Sequence, residues 1–179
     1  MRNLLIPSIL VAFALIACAS DHPTSIRLLP ADGAHTASQL NAPVPLTGKC
    51  EAVLAAPVFV SPGVIRQVDT GTCQLSHLGK VSFYSAKLIN ISAGTQVTEA
   101  TFTAANGDSI YVSGNGTNTP SGNGLVAFST SMNFTSGTGR FANVAGEANA
   151  TGVANLTTQR SSVTLDGWIT YAASDTQGP

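Results

Sequence analysis

Charge is scarce in this chain: Lys, Arg, Asp and Glu together make up 9% of its 179 residues, with eight cations, nine anions and a formal charge of −1. No basic run is present, so the electrostatic footprint of a nucleic-acid binder is absent and no nucleic-acid partner is expected. Histidine is as sparse. His22, His35 and His77 stand far apart in the sequence, and no Cys-x-x-Cys or paired histidine offers the ligand spacing of a zinc site, so no metal is expected. The chain has no Gly-x-Ser-x-Gly elbow, and Gly137-x-Gly139-x-x-Ala142 lacks the helix that a dinucleotide fingerprint requires, so no cofactor is expected either. The one long apolar run, 4–16, falls short of the roughly 20 residues that a spanning helix needs. Low charge does not make the chain disordered, because 44% of it is hydrophobic and it can build a core.

What is present starts at the N-terminus. Met1-Arg2-Asn3, the apolar stretch and the closing Leu15-Ile16-Ala17-Cys18 have the layout of a secretory signal and resemble the lipobox of bacterial lipoproteins. The resemblance implies a signal peptide over 1–17, acylation of the Cys18 thiol and a protein held in the bacterial cell envelope. Ala19 and Ser20, in place of an aspartate, imply the outer membrane. Each buried methylene contributes about 0.8 kcal/mol, so two or more acyl chains give lasting attachment. The other reading is an ordinary signal cut after Ala17 or Ala19, with Cys18 incidental.

Beyond Cys18 the only cysteines are Cys50 and Cys73. In an exported protein an even pair is read first as a disulfide; two buried free thiols are the alternative. Residues 18–45 hold Pro23, Pro30, Pro43 and Pro45 without sustained periodicity, the composition of a flexible tether. His22 and His35 are solvated residues within it. One domain over 46–172 follows, then a short tail, 173–179.

From Leu46 onward, short Thr, Ser, Val and Phe runs are punctuated by Gly and Asn, which predicts an all-β domain. Strands are expected at 49–56, 64–73, 80–92, 96–104, 109–115, 126–134, 147–154 and 163–171. In the sixth, Val126, Phe128, Thr130, Met132 and Phe134 share one face by the period of two. In the seventh, Ala148, Ala150, Gly152 and Ala154 line one face with small side chains, leaving space for a neighbour's bulky residue or a ligand. Asn106-Gly107 marks a hairpin. About eight antiparallel strands without an amphipathic helix predict a small closed barrel, with a two-sheet sandwich as the competing architecture. Eight strands enclose a lumen that side chains fill or one small ligand occupies. Val126, Phe128 and Met132 are the candidate contacts for such a ligand, provided their face points inward. Glu51, Asp69, Glu99, Asp108, Glu147 and Asp166 are the acids from which an inward pair could do acid–base work, and His77 reads as a turn or rim residue.

Ser136-Gly137-Thr138-Gly139-Arg140-Phe141-Ala142, followed by Gly146 and a Thr/Ala strand, resembles the Gly-x-Gly-(Arg/Lys)-Phe turn of dirigent proteins, and allene oxide cyclase-like barrels carry a related turn. His77-Leu78-Gly79, Thr103-Ala104-Ala105-Asn106-Gly107-Asp108 and Asp166-Gly167-Trp168-Ile169-Thr170-Tyr171 are similar to the same arrangement. The resemblance covers about 46–171 and implies an eight-stranded antiparallel barrel in which Phe141, a further candidate ligand contact, plugs one mouth. It does not carry the activity across. Dirigent proteins hold a His-Asp pair on the first strand, where Gly48-Lys49-Cys50-Glu51-Ala52-Val53-Leu54 offers only Glu51, and no stretch reproduces the pocket of the cyclases.

The functional expectation is therefore a lipid-anchored envelope protein whose barrel works by non-catalytic binding, of an apolar small molecule inside or of a partner at a rim, with oligomers possible. A cofactor-free isomerase or cyclase of the allene oxide cyclase type and a structural surface module are the alternatives.

Overall fold

The computed structural model describes residues 42–172. The expected signal peptide, Cys18, nearly all of the expected tether and the 173–179 tail lie outside the described residues. Strand pairing begins two residues ahead of Leu46, with β1 (Val44–Leu54), and continues through β2 (Val58–Ser61), β3 (Val64–Leu75), β4 (Gly79–Asn90), β5 (Thr95–Ala104), β6 (Ser109–Gly122), β7 (Leu125–Gly137), β8 (Ala145–Asn155) and β9 (Arg160–Thr170). A single 3-10 turn, Gly139–Phe141, joins β7 to β8.

Eight of these strands form a closed antiparallel barrel. The hydrogen-bonded order runs β1-β9-β8-β7-β6-β5-β4-β3, and β1 pairs back onto β3 to seal it. Sealing removes the exposed edges that two stacked sheets would keep, so the barrel replaces the sandwich alternative. The strand that sequence periodicity did not show is β2, a short continuation of β1 beyond Pro57 that pairs with β3 alone. The short Val-Phe-Val-Ser run carries no alternation, and all four residues are exposed.

The closing seam is covalent. Cys50 and Cys73 face each other across the β1–β3 ladder and are joined as a disulfide, as the even count led one to expect. Constraining the 23-residue separation restricts the unfolded chain and stabilises the barrel by about 3–4 kcal/mol in the chain-entropy account.

The turns follow two chemistries. Between β6 and β7 the two-residue connection is Asn123-Gly124, at φ 51° and 74°, the type I′ geometry that matches the twist of a hairpin. At Asn106-Gly107, by contrast, only Gly107 has positive φ. There the connection is longer, with Gly107 N–H donating to the Ala104 carbonyl and Ala104 N–H to that of Asp108. The stronger hairpin signal lay at 123–124.

Alternation places one face of every barrel strand inside. Leu46, Leu75, Leu78, Val81, Phe102, Ile110, Val112, Phe134, Val144 and Ile169 are packed together with Phe141 at one end. At that end the 3-10 turn is held by Asp108, whose carboxylate accepts from Arg140 N–H at 3.2 Å. Phe141 packs edge-on against Tyr171 at 5.3 Å, and the Arg140 guanidinium lies over the Phe141 ring at 4.6 Å. Phe141 is thus the plug of a closed mouth. The other mouth is open.

Candidate functional site

The open end leads into a cavity of about 370 Å³, the space of roughly a dozen water molecules in the liquid and within the lower range of ligand sites. Leu54, Ile65, Ile89, Leu125, Val126 and Ala154 supply apolar wall from five different strands. Phe128 and Ser161 stand at its base and also line a second, small cavity of about 50 Å³ further in. Met132, Ala150, Val163 and Leu165 bound that inner space.

The side chains come together here because the strand period points them inward. On β3, Ile65, Gln67, Asp69 and Cys73 share the inner face; on β4, Val81, Phe83, Ser85, Lys87 and Ile89 do so. Within this otherwise apolar lumen Lys87 Nζ is ion-paired with Asp69 Oδ2, the two side chains being 15% and 3% exposed. The same ammonium lies 5.2 Å from the centre of the Phe128 ring, close enough for a cation–π attraction. Gln96 Nε2 donates to Thr130 Oγ1 at 2.6 Å, and Gln67 Nε2 donates to the Ala55 carbonyl at 2.7 Å. A polar belt therefore divides the open chamber from the packed end.

That belt is incompletely satisfied. Asp69 Oδ1, Ser85 Oγ and Thr98 Oγ1 are buried without a partner, and all three residues line the inner cavity beside Lys87. Each such group costs about 1–3 kcal/mol when left unpaired. Together they present one acceptor and two hydroxyls at the foot of an apolar shaft. This set can hold a small polar group by hydrogen bonds while the wall takes the apolar remainder. Among the described residues no three His, Cys, Asp or Glu side chains gather as a metal ion would require.

The sequence candidates fall in different places. Val126 lines the open cavity, Phe128 both cavities and Met132 the inner one. Phe141 lines neither, because it is spent on closing the opposite mouth. The small-residue face of β8 serves two purposes: a Cβ on Gly152 would meet Phe128 Cζ at 2.7 Å, so glycine there admits the aromatic ring, whereas Ala154 leaves space in the chamber. Of the six acids, only Asp69 points inward with its carboxylate buried. Glu51, Glu99, Glu147 and Asp166 are exposed, and Asp108 sits at the closed end. His77 is exposed in the β3–β4 turn at that same end.

Lys87 was the residue sequence reasoning passed over. The signal was there: it keeps step with Val81, Phe83, Ser85 and Ile89 on the inner face of β4. A lysine in that register is an inward charge that demands a counterion.

No protein-family model matches this chain, and no curated protein matches it in sequence. Among solved structures the barrel is similar to that of a pterocarpan synthase dirigent protein, with a TM-score of 0.50 at 15% identity, over 76% of this chain and 93% of that one. The likeness is one of fold. It agrees with the resemblance carried by the Ser136–Ala142 turn.

Proposed function

We propose that this protein is a lipid-anchored protein of the bacterial cell envelope, on the outer membrane, whose barrel binds one apolar small molecule without catalysing a reaction. The observation that supports binding is the solvent-connected apolar chamber with Asp69 on its wall and the unpaired Ser85 and Thr98 hydroxyls in the small cavity beneath it. The anchor rests on Leu15-Ile16-Ala17-Cys18.

The ion pair narrows the ligand class. Lys87 already has its counterion in Asp69, so an additional full charge buried beside them would lack a partner and would be opposed by its desolvation. A neutral end that donates to Asp69 Oδ1 and accepts from both the Ser85 and Thr98 hydroxyls answers all three groups. The ligand in this reading is an apolar body ending in a hydroxyl or an amide.

Titration of the mature protein with Nile red, a neutral dye whose emission rises in apolar surroundings, tests this. Decanol is expected to displace the dye at least tenfold more effectively than decanoate. Equal displacement, or no dye uptake, would count against the reading.

A second reading, a cofactor-free isomerase, is favoured by one observation: Asp69 places a carboxylate with an unpaired, buried oxygen at the foot of the chamber. Asp69→Asn separates the two readings. A binder returns the molecule that copurifies with it unchanged from wild type and variant alike, whereas an enzyme converts that molecule and loses the conversion in the variant.

A further inference from the structure

The segments around the open mouth, residues 55–63, 91–94, 119–124 and 156–159, contain no Asp, Glu, Lys, Arg or His. At the closed end the connections hold His77, Asp108 and Arg140. The uncharged rim is also apolar and exposed. Phe59 is 69% exposed, Leu156 55% and Ile91 53%, and Val58 and Val60 stand beside Phe59 on β2. These side chains come from three separate segments that encircle the cavity, and Ile91 and Leu156 line its entrance. Exposed apolar side chains ringing the mouth of an apolar cavity mark a contact with another apolar phase.

We infer that the open end of the barrel docks into the surface of a lipid bilayer, rim first. Three further features fit a membrane as the occupant. An apolar ring around an apolar chamber lets a ligand pass from hydrocarbon to cavity without crossing water, a consequence that rests on the binding reading whereas the docking itself does not. Below the rim, the first charged side chains on the outer wall are Arg66, opposite Val58, and Arg160, opposite Val53. Both are cationic, which suits anionic headgroups at that depth. Lastly, β1 starts at the closed end, and 25 residues separate Cys18 from Val44. Fully extended they span about 85 Å, against about 36 Å for the 11 residues of β1. A lipid on Cys18 and a rim at the opposite end of the barrel can therefore reach the same bilayer.

The test uses the mature protein in vesicles of phosphatidylethanolamine and phosphatidylglycerol, with a nitrobenzoxadiazole label on a single introduced cysteine. Phe59→Cys and Leu156→Cys place it at the rim, Asn106→Cys at the closed end. Docking predicts at least threefold stronger quenching of the rim labels than of the label at 106 by nitroxides on the lipid acyl chains. Adding Val58→Asp to Phe59→Cys, neither of which lines the cavity, removes most of that quenching, while Nile red uptake by the cavity is retained. Equal or absent quenching at all three positions overturns the inference. So does a blue shift at 59 that depends on protein concentration and not on lipid, which would assign the rim to a second copy of the chain. If the labels show no docking yet Nile red binds, only this inference falls; if docking is seen and Nile red does not bind, the binding reading falls and docking stands.

Discussion

Lys87 of β4 and Asp69 of β3 form the one ion pair among the described residues, and they form it inside the barrel. Their strands are adjacent, with Asp69 opposite Ser85 and Lys87 opposite Gln67, so the two inward side chains meet diagonally across the ladder. An internal pair contributes less to stability than to positioning, since both ions lose hydration. What it does fix is the polarity of the chamber floor.

Removing one member should therefore hurt more than removing both. Asp69→Ala leaves a mostly buried ammonium without a counterion and is expected to cost about 3 kcal/mol, the lower end for such changes because Lys87 retains some solvent contact. The double variant Asp69→Leu/Lys87→Met should lie within about 1.5 kcal/mol of the parent. Urea unfolding of the parent, the single and the double variant checks this. A single variant as stable as the parent would mean that the pair is solvated.

The disulfide should act on closure of the barrel. Because Cys50 and Cys73 are direct partners across the β1–β3 seam, Cys50→Ala/Cys73→Ala or reduction is expected to lower the unfolding free energy by about 3 kcal/mol. Amide exchange should rise first in β1 and β3. Uniform acceleration over all strands, or no loss of stability, would contradict a seam role.

Gly139 is the most constrained residue of the closed end. It has φ +53°, and a Cβ there would fall 1.9 Å from Asp108 Oδ1. Gly139→Ala should dislodge the Asp108 carboxylate that accepts from Arg140 N–H, at a cost of about 1–3 kcal/mol from backbone strain and the displaced contact. Thermal unfolding measures it, and Asp108→Ala in the Gly139→Ala background should recover part of the loss. Full stability in Gly139→Ala would show that the turn relaxes freely.

Much of this barrel could be read from alternation. The face carrying Val126, Phe128, Met132 and the small residues of β8 is the inner one, because on a closed sheet the apolar period of two has only one place to go. The dirigent-like turn was legible in its glycines and in Phe141, since a positive φ and a buried ring leave a local signature. Other elements left none. β2 lacks alternation because all its side chains are exposed, and the length of β6 was hidden by Gly114, Gly116 and Pro120, which read as loop although the ladder continues to Gly122. The polar floor was the least visible part. Asp69, Ser85, Lys87 and Thr98 belong to three strands, and only the register of those strands brings them together.

The account depends on the chamber being occupied. Native mass spectrometry of the protein purified from the cells that make it, beside an Ala154→Trp variant whose indole projects into the open cavity, tests that most directly. Wild type is expected to carry a noncovalent apolar molecule at near one equivalent, and the variant to carry none while unfolding within about 1 kcal/mol of wild type, as substitutions that fill empty space commonly do. Wild type recovered only at the mass of its own covalent chain, or the same molecule retained by Ala154→Trp, would contradict it.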